Sequence, residues 1–356
     1  MAASKSIVIM NIVVVVLMFA GPLDAFTSPD ILQRIQQIND LGSYMGLVVP
    51  NSKTLEPFLR SPTFQPAEHT PASLDIAGRR FHIGMISGHR VIVVMTGYGM
   101  INSAVTTELL LNYFRVRGVI HYGTAGNGNP SHHIGDITIP RKWAHTGLWN
   151  WQRFGDGEED ELVGEENGDY TRKIGHLRFA AYNSPTKERS ENKLNNLWYQ
   201  PNEIFPVNDI PEVRQHAFWV PADEGYYQIA ESMKDVELES CVNSTTCLTH
   251  KPRIVRVERG CSANVYVDNA HYRDFLHNKF KVTPIDMESA GVALVCLSQN
   301  ARFIAMRALG DLAGGSEEAN EAPIFSELSS QNAVTAVTQF LKRLPAPRIQ
   351  LFRYEE

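Results

Sequence analysis

Three short stretches of the chain combine side chains that could do chemistry. The first, His121-Tyr122-Gly123-Thr124-Ala125-Gly126, ends an apolar run. Its glycines let backbone amides approach a ligand closely, and Thr124 adds a hydroxyl. The second, Asp286-Met287-Glu288, sets two carboxylates around a methionine at the start of a helix-patterned segment, the positive end of the helix dipole. The third, Arg307-Ala308-Leu309-Gly310-Asp311, carries an acid just beyond an apolar run, with glycines that let the chain turn. Each stretch also has a plain structural meaning. A glycine turn ends many strands, acids at a helix start are ordinary caps, and an Asp after a strand is an ordinary loop residue. What they share is position, because strand ends and helix starts are where α/β sheets bind ligands.

The elements that must position them follow from hydrophobic periodicity. Ile31–Leu41 has helical apolar spacing, and Met45–Pro50 reads as a buried strand. Phe81–Ser87 and Arg90–Thr96 flank a Gly88-His89 turn and predict a hairpin, followed by a helix over Ile101–Phe114. Val116–Tyr122 and Gly135–Pro140 predict two more strands. Later come a helix over Tyr226–Lys234, strands at Arg253–Val257 and Asn264–Val267, and a helix over Ala270–Leu276. The series closes with a helix over Asp286–Ser298, a strand over Arg302–Ala308 and a helix over Ser330–Leu341. Strand, helix, strand in alternation is the α/β class. From about 150 to 220 the pattern decays into an acidic, polar insertion, flanked by strand signals that read as one sheet, so residues 26–356 are expected to form a single domain.

At 356 residues the chain can bury a large core. Its formal net charge of -6 provides no basic footprint for nucleic acid, which is excluded as a partner class. Lys5, the apolar run Ile7–Ala20 and the small Ala25 have signal-peptide anatomy, so residues 1–25 are expected to be removed on a secretory route to the vacuole or the outside. The other reading of that run is a signal anchor, but it is shorter than a bilayer span needs. No membrane association is expected after cleavage. Cys241 and Cys247, six positions apart in a polar loop, either form a local disulfide or remain two thiols; Asn243 between them heads a glycosylation sequon. No cysteine or histidine follows at zinc-finger spacing, and no metal is expected.

In combination and order, these motifs resemble the nucleoside phosphorylase–nucleosidase family from about Gly46 to about Leu341. Thr96-Gly97-Tyr98-Gly99-Met100 resembles its glycine segment near the nucleophile, and Gly123–Gly126 with Ile134-Gly135-Asp136 its central signature. Asp286-Met287-Glu288 resembles its ribose motif and Gly310-Asp311 the segment of its catalytic acid. The chain is similar in particular to the plant branch of bark and vegetative storage-type proteins and relatives acting on cytokinin ribosides. The resemblance implies a three-layer α/β/α fold with a central mixed, partly barrel-like sheet, and a homo-oligomer. It implies an adenine-type purine nucleoside or free base as ligand, phosphate as co-substrate and no cofactor. Asp311 would protonate the leaving purine and Glu288 would hold the ribose diol, as the two catalytic residues. Thr124, Ala125, Gly126, Tyr266, Val267, Met287 and Arg307 would complete the nucleoside site.

The departures from the family pattern lie at the nucleophile. Nucleosidases carry a glutamate in the first strand-to-loop segment, where Thr54 stands here and Glu56 follows two places on. Of the two arginines with which phosphorylases surround phosphate, the loop arginine is missing and His121 stands at the place of the other; Asn51, Ser52, Lys53, Gly99, His121 and Thr124 could still hold an anion. The leading expectation is therefore a purine nucleoside phosphorylase, a pentosyltransferase. The alternatives are a 5′-methylthioadenosine/S-adenosylhomocysteine-type nucleosidase using water, and a storage protein with a vestigial base pocket.

Overall fold

The computed structural model describes residues 28–151, 174–177, 197–315 and 322–345. The signal-peptide expectation for residues 1–25 and much of the 150–220 insertion lie outside the described residues.

Alternation along the strands builds a three-layer structure. In β1 (Tyr44–Val49), Met45, Leu47 and Val49 join one hydrophobic cluster while Tyr44 and Val48 join another, because successive side chains leave opposite faces of a strand. The same division runs through β5 (His89–Met95), β6 (Val116–Asn127) and β16 (Phe303–Leu312). One face is covered by α2 (Ser52–Leu59), α4 (Glu224–Glu231) and the long α7 (Ala322–Arg343). The other is covered by α1 (Pro29–Asp40), α3 (Met100–Tyr113) and α6 (Ser289–Ser298). Strands buried on both faces read as continuous apolar runs, which is why these four were legible from sequence.

The large mixed sheet has eleven strands. β1 lies parallel to both β5 and β6, while β2 (Phe64–Pro66), β3 (Ser73–Ile76) and β4 (Arg79–Ile86) extend it antiparallel at one side. On the other side it closes on itself. β6 pairs β16, β16 pairs β7 (Ile137–His145), β7 pairs β14 (Ile254–Ser262), β14 pairs β15 (Val282–Asp286), and β15 returns to β6. This ring is the partly barrel-like closure, and it gathers the carboxyl ends of β6, β14, β15 and β16 around one opening.

The rest of the 150–220 region is not featureless. β8 (Trp149–Trp151), β9 (His176–Leu177) and β10 (Leu197–Tyr199) form a small sheet, β11 (Asn202–Ile204) and β12 (Gln215–Ala217) form a ribbon, and β13 (Trp219–Pro221) adds to the edge of the large sheet at β7. Tyr199 packs edge-on against Phe280, which ends α5 (Ala270–Phe280). Cys241 and Cys247 are joined by a disulfide, and Asn243 between them is exposed.

Two local expectations are corrected. The hairpin turn is Ser87-Gly88, both at positive φ (52° and 79°), and His89 is already the first residue of β5; two such residues make the tight turn that matches strand twist. Asn264–Val267 is not a strand. Its backbone pairs with no strand, and Oδ1 of Asn264 accepts a hydrogen bond from the Met100 amide at the start of α3 (2.8 Å). Its apolar residues cover a cavity instead of filling a sheet. The β15 strand, which ends on Asp286, carries no separate signal, since its five residues run straight into the helix pattern.

Candidate active site

The opening in the sheet leads to a cavity of about 190 Å³. β6 contributes Thr124, Ala125 and Gly126 to its wall, and β16 contributes Gly310 and Asp311. The β15–α6 junction supplies Asp286, Met287 and Glu288, the loop after β14 supplies Val265, Tyr266 and Val267, and the entry to α2 supplies Asn51 and Lys53.

Asp311 owes its place to an irregularity in pairing. Leu309 pairs with Ala125, but Asp311 pairs with Gly126, so Gly310 is an extra residue in β16. Without this bulge Asp311 would pair with Asn127, and alternation would leave it on the face of Arg307. The bulge turns it to the face of Thr124, as bulges commonly do beside active sites. Its carboxylate is near enough to Tyr266 to help raise the phenol's pKa, although burial is the larger cause. Tyr266 itself is 64 % exposed and forms part of the rim, together with Tyr98.

Glu288 is fixed by two bonds. Oε1 accepts from the Gly99 amide (3.0 Å) and Oε2 accepts from Nη2 of Arg307 (3.0 Å). Gly99 can turn its amide inward because its φ of 98° suits glycine and few other residues. A carboxylate has about four acceptor sites, so two remain for hydroxyls in the cavity. Burial raises the pKa of Glu288 and the Asp286 charge adds to this, while the Arg307 guanidinium pulls it down.

Arg307 is completely buried and does not line the cavity. Its Nε lies 2.7 Å from Asp286 Oδ2, an ion pair aligned too poorly for a hydrogen bond, and its Nη1 lies 3.2 Å from Nε2 of His121. Gly123 leaves room for the guanidinium, since a Cβ there would stand 2.9 Å from Nη1. Asp286 also accepts from the Glu288 and Ser289 amides, each at 3.1 Å, and from the hydroxyls of Ser262 and Ser289. Asp286 therefore serves the first amides of α6 and balances the charge of Arg307.

The expected residues do not all converge. Asn51, Lys53, Thr124, Ala125, Gly126, Tyr266, Val267, Met287, Glu288 and Asp311 share the cavity; Ser52, Gly99, His121 and Arg307 stand behind or outside its wall. His121 is the main correction. It is fully buried, Nδ1 lies 3.0 Å from Ser289 Oγ and Nε2 faces Arg307, so no ring nitrogen is left for an anion in the cavity. Burial, and then the Arg307 charge, hold its pKa well below the ordinary value. Arg307 likewise faces buried partners and does not reach the cavity. Thr54 is buried beneath Asn51, and Glu56 pairs with Arg60 on the outer side of α2 (2.8 Å), so neither stands at the cavity.

Sequence reading missed Val265 and Ala313, and Ser326 and Ser330 from α7, which close the cavity from the far end of the chain. Nothing local marks those serines, because their place depends on how α7 packs across the sheet. Among the described residues there is no group of three or more potential metal ligands and no helix long and apolar enough to cross a membrane.

Comparison with known proteins gives this geometry a context. A family model described as the phosphorylase superfamily matches residues 44–344. Bark storage protein A of Populus deltoides is 33 % identical over 307 residues, covering 86 % of this chain and 90 % of the relative. A 5′-methylthioadenosine/S-adenosylhomocysteine nucleosidase of a Marinomonas strain is 24 % identical over 267 residues, covering 75 % and 87 %. Among solved structures, the nucleosidase of the same description from Helicobacter pylori, bound to butyl-thio-DADMe-Immucillin-A, superimposes with a TM-score of 0.56 at 16 % identity. It covers 85 % of this chain and 99 % of its own. At that identity the likeness establishes a shared fold.

Proposed function

We propose, since the chain belongs to the phosphorylase superfamily, that its cavity takes an adenine-type purine nucleoside and splits the N-glycosidic bond with phosphate as nucleophile. The observation that carries this reading is the meeting of Glu288, Asp311 and Lys53 on different walls of one cavity. As C1′–N9 breaks, positive charge grows on the sugar and negative charge on the purine. Asp311 donates a proton at N7, so the base leaves neutral. Glu288 accepts from the ribose diol and holds the sugar between the base and the anion. An oxygen of hydrogen phosphate attacks C1′, the proton it gives up replaces the one delivered by Asp311, and the products are neutral free base and ribose 1-phosphate. Lys53, Asn51 and Thr124 are the phosphate ligands in this arrangement; Lys53 brings the positive charge and Thr124 a hydroxyl.

In the hydrolytic alternative neither expected position offers a base at the cavity, since Thr54 is buried and Glu56 faces away, tied to Arg60. A storage role has a specific observation in its favour, the 33 % identity to bark storage protein A, and would use the same cavity for a base with no turnover. The deciding assay is adenosine with and without phosphate, read for adenine and ribose 1-phosphate. Phosphate-dependent release is expected, and Lys53→Met should raise the phosphate concentration needed for half-maximal rate by about tenfold, as loss of a charge-assisted contact does. Equal release without phosphate overturns phosphorolysis, and no release overturns turnover. Glu288→Gln should weaken adenosine more than adenine in equilibrium titrations, because only the nucleoside presents a diol; equal weakening removes Glu288 from sugar recognition.

Two further features belong to the proposal. The outer face of α3 leaves Ile101 (74 % exposed) and Val105 (48 %) bare beside the rim tyrosine Tyr98, which supports a homo-oligomer that covers them. The Cys241–Cys247 bond supports an oxidising compartment, in keeping with a vacuolar or extracellular destination.

A further inference from the structure

We infer that His121 is a positioning residue, held as the neutral Nδ1–H tautomer, which fixes the Arg307 guanidinium and through it the ribose-facing carboxylate of Glu288. The inference rests on Glu288 being the sugar ligand, as proposed above, but its first consequence can be read without any ligand.

The tautomer follows from the order of donors and acceptors. Arg307 has only donors, so the 3.2 Å contact between its Nη1 and His121 Nε2 requires Nε2 to be the acceptor. The proton then sits on Nδ1, which donates to Ser289 Oγ at 3.0 Å. Ser289 Oγ in turn donates to Asp286 Oδ2, which lies against Nε of Arg307. From Arg307 through His121 and Ser289 to Asp286 each hydrogen bond runs in one direction, and the ion pair between Asp286 Oδ2 and Nε of Arg307 (2.7 Å) closes the loop. The opposite tautomer, or an imidazolium, would point an N–H at the guanidinium and break the loop. The charged groups around the ring are Arg307 on β16 and, through Arg307 and Ser289, Asp286 and Glu288 at the β15–α6 junction. Burial and the adjacent positive charge of Arg307 both disfavour ring protonation.

The purpose of the loop is directional. Two of the Arg307 nitrogens are drawn toward Asp286 and His121, which leaves Nη2 as the one that meets Glu288 Oε2. Without an acceptor at position 121, Nη1 is a buried donor with no partner, and the guanidinium is free to rotate toward the carboxylates. Glu288 would then keep its charge balance and lose its aim. A neutral residue that both donates and accepts can hold the same loop, whereas an apolar one cannot.

The test has two readouts. Imidazole nitrogen spectra of the ¹⁵N-labelled full-length protein, with the His121 signals assigned by their loss in His121→Gln, should show a protonated Nδ1 and an unprotonated Nε2. Both should stay unchanged from about pH 8 to about pH 5.5, where an exposed histidine titrates. A protonated Nε2, or titration near the ordinary value, overturns the inference whatever the protein binds. In parallel, the ratio of adenosine to adenine affinity is compared across wild type, His121→Gln and His121→Leu. His121→Gln should retain the wild-type ratio, and His121→Leu should lower it about tenfold, the scale of one charge-assisted hydrogen bond. An unchanged ratio in the folded Leu variant, or an equal loss in both variants, overturns the positioning role. If the wild type itself does not prefer adenosine, the nucleoside reading fails, and the spectrum alone decides the state of His121. Should the Leu variant not fold, the spectrum and the retention expected of His121→Gln carry the decision.

Discussion

Asp311→Asn is expected to keep adenosine bound and to lower its phosphorolysis by about 10²–10⁴-fold, the range seen when a general acid is lost. The amide has the shape of the carboxyl and fits the same bulged position opposite Gly126, so the cavity wall should be intact. It cannot deliver a proton to N7, and the purine must then leave as an anion. The split between binding and rate is the informative part. A loss confined to the rate at saturating adenosine supports proton donation, while a loss confined to binding makes Asp311 a base-recognition residue. An unchanged rate removes it from the mechanism. A nucleoside with a better leaving group should also be rescued relative to adenosine in the variant.

Arg307→Met carries the largest expected loss of stability. The guanidinium is wholly enclosed, and its removal leaves Asp286 and Glu288 as buried carboxylates without a cation. Breaking a buried pair from one side costs about 3–5 kcal/mol, mostly because the abandoned charge remains desolvated. Serine hydroxyls and amides still serve Asp286, so most of the penalty should fall on Glu288. Denaturant unfolding of the wild type and the variant near neutral pH measures it. The loss should shrink in Arg307→Met/Glu288→Gln, which removes the stranded charge as well. A loss below about 1 kcal/mol in the single variant would mean that the network contributes little to folding, in the manner of an exposed pair.

The two predictions separate what this network does from what the cavity does. Asp311 is placed by a register shift in β16, and its loss should leave the fold alone. Arg307 is placed by the closed ring of strands, and its loss should unsettle both the fold and the carboxylate that faces the ligand. A storage protein that keeps only the fold would preserve the second effect and lack the first.

Much of this architecture is written locally in the chain. The apolar runs of β1, β5, β6 and β16 announce strands buried on both faces, and the separation of their odd and even side chains into two cores requires helices above and below. Thr124–Gly126 and Asp311 sit where an apolar run stops and Met287-Glu288 at a helix start, positions where an α/β sheet offers groups to a ligand, and it is their order, matching the family motifs, that marks them as site residues. The tertiary structure decided the rest. Whether His121 meets an anion or supports an arginine depends on which neighbour fills the space beside Gly123, and that neighbour comes from a strand 186 positions later. Whether Asp311 faces the cavity or Arg307 depends on a single extra residue in the pairing with β6, which no periodicity displays. Ser326 and Ser330 reach the cavity only because α7 crosses the sheet above it. Local sequence sets the element and the face to which a side chain is turned; the partner it finds is a property of long-range packing, and for buried charged groups the partner determines the role.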